Sequence, residues 1–478
     1  MNHSIKKNFA FKSILTLSTY VMGFITFPYV SRVLGVEYLG LVNFIDNTAS
    51  YFLLFATLGI ELLGVREIAV VKEYDNEKSL VFSRILGLNV LLTIIVLVVY
   101  FIIVAFSPKL YQYSELFYIG AVKILFTAFL IEWFFTGIEN FKYITIRSLI
   151  VKALYVLSVY VFIRNVNDYK LYFFLTVGAV VVNSFVNIIY VRRFVCIQWR
   201  ELIRLTYMKQ NIILGVYSIM TSMYLTFNVM FLGIVADNIQ VGYYVAAFKL
   251  YTVILGFFTA FTNVMLPRMS SVLSDGDLDS FRLLIDKSLS LVSLFSIPII
   301  LCCIVLAPQI IYILSGTGYE HSITLMRILM PAVLFVGIAQ VLAVQVLVPM
   351  KYDKVLLIAS FVGAITSLLI NFLCVPKLQS TGTAIVLICS ECIVTTIYII
   401  YIIKRRLICL PIATIMKSLF ISLPCALICW LSGYYIDNSF IAILVAILLA
   451  SGCWILLNVR YNTIAGKLII NHLKIVHE

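Results

Sequence analysis

The feature that most restricts this chain is a run of about 20 apolar residues, repeated about 14 times between short polar connections. A helix rises 1.5 Å per residue, so each run is long enough to cross roughly 30 Å of hydrocarbon. The runs fall at 12–34, 41–61, 81–106, 116–137, 145–164, 169–191, 211–235, 240–266, 288–314, 323–348, 354–375, 380–403, 415–436 and 439–458. With 478 residues, 12% of them charged, and a mean hydropathy of +1.07, the chain carries more apolar surface than one or two soluble cores bury. The expected fold is an all-α polytopic membrane protein of about 14 transmembrane helices. The first run reads as a retained helix and not a cleaved signal, because it is long, contains Pro28 and lacks an A-x-A exit.

The net charge of +13 could point to nucleic acid, but the 35 Lys and Arg stand singly between apolar runs, a pattern that orients helices in a bilayer. With the N-terminus inside, only Arg32, Lys109, Arg164, Lys170, Arg327 and Lys377 fall outside. Lys123 and Lys249 lie within spans, and the remaining 27 lie inside. Both termini are therefore expected to be cytoplasmic. No outer loop is long enough to fold as a catalytic domain. Of the 10 cysteines, eight fall in apolar runs, and His3, His321, His472 and His477 lie outside them. The thiols read as small packing residues, and Cys389-x-x-Cys392 has no second pair to complete a zinc set. The stretch 274–280, "SDGDLDS", lacks the downstream Glu of a calcium loop. No nucleotide-binding glycine motif or catalytic triad is present, so no cofactor is expected, and energy would come from a Na+ or H+ gradient, the membrane potential or consumption of product outside.

Short matches recur in order along the chain. Gly40 pairs with Gly242 and Arg66 with Arg268 at an offset of 202, Lys123 with Arg327 at 204, and "KY" at 142–143 with "KY" at 351–352. Six spans separate the equivalents, so the repeat is parallel. It implies a lobe over 1–204 (spans 1–6), a second over 205–410 (spans 7–12), and an appendix of spans 13–14 with a cytoplasmic tail over 411–478.

The stretches "FPYVSRVLGVEYLGLVNF" (27–44), "GVREIA" (64–69), "EWFFTGIENFKYITIRS" (132–148) and "GYYVAAFKL" (242–250) resemble the lipid-linked repeat-unit flippases of bacterial O-antigen and capsule synthesis. These form the polysaccharide transport branch of the multidrug/oligosaccharidyl-lipid/polysaccharide exporter superfamily. The likeness runs from about residue 8 to about 403. It implies two six-helix lobes in a V shape around a central cavity, working by alternating access in the cytoplasmic (inner) membrane of a bacterium. It also implies a substrate, an oligosaccharide on undecaprenyl pyrophosphate, and as partners a polysaccharide polymerase and a chain-length regulator.

A sugar head group needs polar partners at membrane depth, and a pyrophosphate needs Lys or Arg. Lys249, about 14 Å past Gln240 by helical rise, is the deepest cation. Lys123, Arg327 and Arg32 could join it in a cationic half-cavity, or could snorkel to the interface. Lys249 could instead pair with Glu391. Asn43, Asp46, Asn47 and Ser50 recur at i, i+3, i+4 and i+7 and share one helical face suited to sugar hydroxyls. Asn183 and Asn187, one turn apart, suit the same role, as do Ser218, Thr221 and Ser222; interhelical hydrogen bonding is the competing explanation. Glu132 and Glu391 are candidates for ion coupling, and Trp133 for an interfacial anchor. A cation-coupled multidrug exporter would rely on carboxylates such as Asp46, Glu132 and Glu391. A lipid II flippase would carry the same pyrophosphate lipid. An enzyme lacks a catalytic constellation, and a scaffold would not explain polar faces at depth.

Overall fold

The computed structural model describes residues 2–223, 226–405, 412–461, 463 and 466. The expected lobe boundary at 410/411, most of the C-terminal tail, and the side chains of Ser218 and Thr221 lie outside the described residues. The described residues are 87% helical and include no strand. In chain order the helices are α1 (Asn2–Thr57), α2 (Ile60–Val71), α3 (Asp75–Phe106), α4 (Pro108–Tyr111), α5 (Ser114–Thr127), α6 (Glu132–Gly137), α7 (Phe141–Phe162), α8 (Tyr169–Val191), α9 (Met208–Met223) and α10 (Thr226–Val235). They continue with α11 (Asn238–Ser274), α12 (Leu278–Val305), α13 (Ala307–Ser315), α14 (His321–Leu329), α15 (Ala332–Gln340), α16 (Asp353–Lys404), α17 (Ile412–Tyr435) and α18 (Ser439–Arg460).

Eleven described helical stretches are long and apolar enough to cross a membrane. Two of them are merged pairs. The φ of 69° at Gly35 divides α1 into two legs, and Gln379, with φ 48°, divides α16. Counting the legs separately, with α9 and α10 as one further apolar stretch, is consistent with 14 crossings. At "LGVEYLG" the break between spans 1 and 2 is confined to Gly35, whose lack of a Cβ admits the positive φ, and Gly40 already lies in the second leg.

The residues Met1–Gly242 form one compact unit. Within it, the second leg of α1 crosses the first residues of α11 at the two glycines paired by the sequence repeat. A Cβ on Gly40 would lie 2.7 Å from the amide nitrogen of Gly242, and one on Gly242 would lie 2.7 Å from Cγ2 of Val36. Small residues at this crossing let two backbones touch, the usual packing device where lipid removes the hydrophobic drive between helices. The basic connection after α8 is held against α3. The Ser79 and Ser83 hydroxyls accept from the amides of Cys196 (3.2 Å) and Gln198 (2.9 Å), and Arg84 pairs with Glu201 at 2.6 Å. On α4, Lys109 donates to the carbonyls of Ile234 (3.1 Å) and Ala236 at the C-terminal end of α10, where a cation complements the helix dipole. Burial lowers its pKa, and nearby Asp237 acts in the opposite direction.

The residues Tyr243–Glu478 form the second unit. Here α12 packs along α17, and α17 along α18. These three helices wall an apolar cavity of about 370 Å³, to which Cys302, Cys425 and Cys429 contribute. The crossing of α14 and α15 is interrupted at Met330 and Pro331 and ends in a π-helical stretch, Val341–Leu347.

Candidate functional site

Two polar clusters stand inside the apolar helices of the first unit. The first grows from the face on the second leg of α1. Asp46 Oδ1 accepts from Lys123 Nζ of α5 at 2.6 Å, and the same ammonium reaches Ser50 Oγ at 3.0 Å. The Lys123 side chain is 14% exposed and that of Asp46 31%. Asn43 and Asn47 donate to the carbonyls of Leu39 and Asn43, each at 2.8 Å, one turn back on their own helix. This engages one N–H of each amide and leaves the Oδ1 atoms to act as acceptors. The result is a half-buried helical face that carries an ion pair and two amide groups.

The second cluster surrounds a break in a membrane crossing. Between α5 and α6 the backbone leaves the helix, and Ile131 takes φ 40°. Freed carbonyls cannot turn to water at this depth, so side chains must satisfy them. Ser184 Oγ donates to Phe126 O at 2.7 Å, Asn89 Nδ2 to Ala128 O at 3.2 Å, and Asn187 Nδ2 to Leu130 O. Asn187 Oδ1 in turn accepts from Arg147 Nη1 and from the Tyr143 hydroxyl (3.0 Å). Arg147 Nη2 donates to Glu132 Oε1 at 2.5 Å and to Ser148 Oγ at 2.9 Å. Lys152, on the same helix as Arg147, donates to Thr19 (2.7 Å) and Ser18 (3.0 Å) on the first leg of α1.

The sequence-based candidates are thus distributed unevenly. Asp46 meets Lys123, and Glu132 and Asn187 meet through Arg147. Asn183, half-buried on α8, back-bonds to Ala179 O at 2.8 Å, while its buried Oδ1 has no donor among the described residues. Arg32 is exposed and donates to Pro28 O at 2.9 Å. In the second unit, Arg327 is exposed and donates to Ile304 O at 3.2 Å, Lys249 is half-buried on α11, and Glu391 is buried on α16. The ion pairs among the described residues include none between Lys249 and Glu391. Trp133 is buried among Phe82 and Phe134. Among the described residues no cluster of His, Cys, Asp and Glu could hold a metal ion.

Sequence reasoning passed over Arg147 and Lys152, counting both as charges on the inner side. The signal was available. Lys152 lies seven residues into the run 145–164, about 10 Å by helical rise, so the depth test that singled out Lys249 selects it too.

The fold is shared with solved transporters. The structure of the lipid II flippase MurJ in an inward closed conformation superposes with a TM-score of 0.76 at 16% identity, covering 94% of this chain and 98% of that one. An inward-facing multidrug resistance MATE family transporter of the MOP superfamily gives 0.60 at 13% identity, over 82% and 98%. In sequence, a protein of Escherichia coli (strain K12) named "Putative O-antigen transporter" is 23% identical over 410 residues, 84% of this chain and 98% of the relative. One of the same name from Shigella dysenteriae is 24% identical over 398 residues, 82% and 98%. Residues 5–273, more than half of the chain, match the family described as polysaccharide biosynthesis protein, and the chain belongs to that family.

Proposed function

We propose that this protein flips an oligosaccharide carried on undecaprenyl pyrophosphate from the inner to the outer leaflet of a bacterial cytoplasmic membrane, by alternating access, for surface polysaccharide assembly. The observation that carries the reading is the face of Asn43, Asp46, Asn47 and Ser50 engaged by Lys123. It provides hydrogen-bonding groups for sugar and a cation for phosphate within an apolar helix array. Likeness to the two O-antigen transporter relatives across 98% of their length supports the same reading. None of the relatives and neighbours named above is an enzyme, and transport accounts for the chain without a catalytic constellation.

In this proposal a pyrophosphate competes with Asp46 for Lys123, and Lys249, Arg327 and Arg32 supply further positive charge. Asn43, Asn47 and Asn183 are the amides offered to sugar, while Asn187 holds the break between α5 and α6. Glu132 and Glu391 are the carboxylates through which a Na+ or H+ gradient, or the membrane potential, could act. Both termini are assigned to the cytoplasm, and a polysaccharide polymerase and a chain-length regulator are the expected neighbours in the pathway. The buried Glu391 favours a second reading, a cation-coupled multidrug exporter.

One experiment separates them. The purified protein is reconstituted in liposomes with a fluorescent pyrophosphate-linked oligosaccharide lipid, and leaflet exchange is followed beside Lys123→Ala and Lys249→Ala variants and a cationic-dye efflux assay. Exchange that falls at least tenfold in the folded variants, without dye efflux, supports the flippase. Dye efflux without lipid exchange refutes it.

A further inference from the structure

A groove of about 610 Å³ runs between α7 and α8, apart from the face on α1, and its two ends differ in chemistry. At the end where α7 begins, Asn140, Lys142, Tyr143, Arg147 and Tyr190 line it. The Tyr143 and Tyr190 rings stack there at 3.8 Å, with the Arg193 guanidinium 5.4 Å over Tyr190. Toward the other end the walls are purely aliphatic: Ile146, Ile150 and Leu154 from α7, and Val182 and Val186 from α8. Ile150 and Leu154 are 56% and 57% exposed, so the groove is open along its length.

Three observations define an occupant. Lys142, Arg147 and Arg193 stand at the polar end, where Glu132 pairs with Arg147 and Glu139, just before Asn140, pairs with Lys72, which leaves this end net cationic and adjacent to the N-terminus of a 22-residue helix. Arg147 is only 5% exposed, and its Nε has no acceptor among the described residues although its other nitrogens bond Glu132, Asn187 and Ser148. That N–H is itself buried, so Arg147 brings positive charge to the groove it lines and not an open donor. From Lys142 to Leu154 the wall extends twelve residues, about 18 Å of helix, close to the roughly 15 Å thickness of one hydrocarbon leaflet.

We propose that this groove binds an anionic glycerophospholipid of the surrounding bilayer, with its phosphodiester at Lys142 and Arg147 and an acyl chain along Ile146, Ile150 and Leu154. The single-leaflet length argues for a two-chain phospholipid over a polyprenyl carrier. The inference does not rest on the flippase reading.

The test is native mass spectrometry of the full chain in detergent, titrated with phosphatidylglycerol or phosphatidylethanolamine, beside Lys142→Glu and Ile150→Trp. Both positions are exposed, so both variants are expected to fold, with circular dichroism as the check. The wild type should retain phosphatidylglycerol at least tenfold more tightly than phosphatidylethanolamine; Lys142→Glu should lose most of that preference, and Ile150→Trp should lose most of the retention of both lipids. Equal retention of the two lipids by the wild type, an unchanged preference in folded Lys142→Glu, or unchanged retention in folded Ile150→Trp overturns the proposal. Complete displacement of phosphatidylglycerol by equimolar undecaprenyl pyrophosphate also overturns it, by assigning the groove to the carrier lipid.

Discussion

The ion pair between Asp46 and Lys123 joins the second leg of α1 to α5, and a double-mutant cycle across it tests the geometry directly. The two atoms lie 2.6 Å apart. Between unit charges at that separation, an effective dielectric of about 20 gives a gross attraction of roughly 6 kcal/mol. Desolvation of both groups cancels most of it, and a charge-assisted hydrogen bond retains about 1.5–3 kcal/mol. Because Asp46 is 31% exposed, the lower half of that range applies, a coupling of about 2 kcal/mol. Asp46→Asn leaves a mostly buried ammonium with a weaker acceptor, and Lys123→Met leaves an unpaired carboxylate. The double variant is neutral and close to the original volume. Each single change is expected to destabilise by about 2 kcal/mol, and the double change by clearly less than their sum, as read by denaturant unfolding in detergent micelles. Additivity within about 0.5 kcal/mol would show that the two charges do not meet, and the reading of this face would fail with it.

Other consequences are equally direct. Arg147→Lys keeps the charge but loses the fork that reaches Glu132, Asn187 and Ser148 together, so thermal stability should fall by about 2 kcal/mol or more, and unchanged stability would contradict the buried network. Asn187→Leu removes the donor to the Leu130 carbonyl and should cost about 2 kcal/mol, with faster amide exchange around 128–132 as the local signature. Gly40→Leu forces a side chain into the backbone of Gly242 and should destabilise by about 1–3 kcal/mol, whereas Gly178→Leu, facing open space, should be tolerated. Ser83→Ala leaves the Gln198 amide without its acceptor and should loosen the connection after α8, visible as proteolysis near 196–204 that the native chain resists.

The membrane crossings were legible because a bilayer imposes one rule on every helix that crosses it, and hydropathy records that rule residue by residue. The break between α5 and α6 was not. "FTAFLIEW" contains neither glycine nor proline, and what permits the break is distant: Asn89, Ser184 and Asn187 arrive from α3 and α8 to satisfy the freed carbonyls. Gly35, by contrast, announced a break through its own conformational freedom.

For the candidate site, periodicity placed Asn43, Asp46, Asn47 and Ser50 on one face, since a shared face is a property of a single helix. That Asp46 meets Lys123 depends on how α5 packs against α1, which no spacing within either segment encodes. Periodicity is also silent on whether a polar group at depth serves the protein or a ligand. Hydrogen-bond accounting distinguishes the cases. Asn187 commits its amide nitrogen to Leu130 and its oxygen to Arg147 and Tyr143, so its hydrogen-bonding capacity is largely consumed in holding the break. Asn43 and Asn47 commit one N–H each, to their own helix, and keep a side-chain carbonyl each on the face that carries Asp46. In a medium without water, an uncommitted acceptor on a half-buried face calls for a donor, and that is the role the proposed function gives to a sugar hydroxyl.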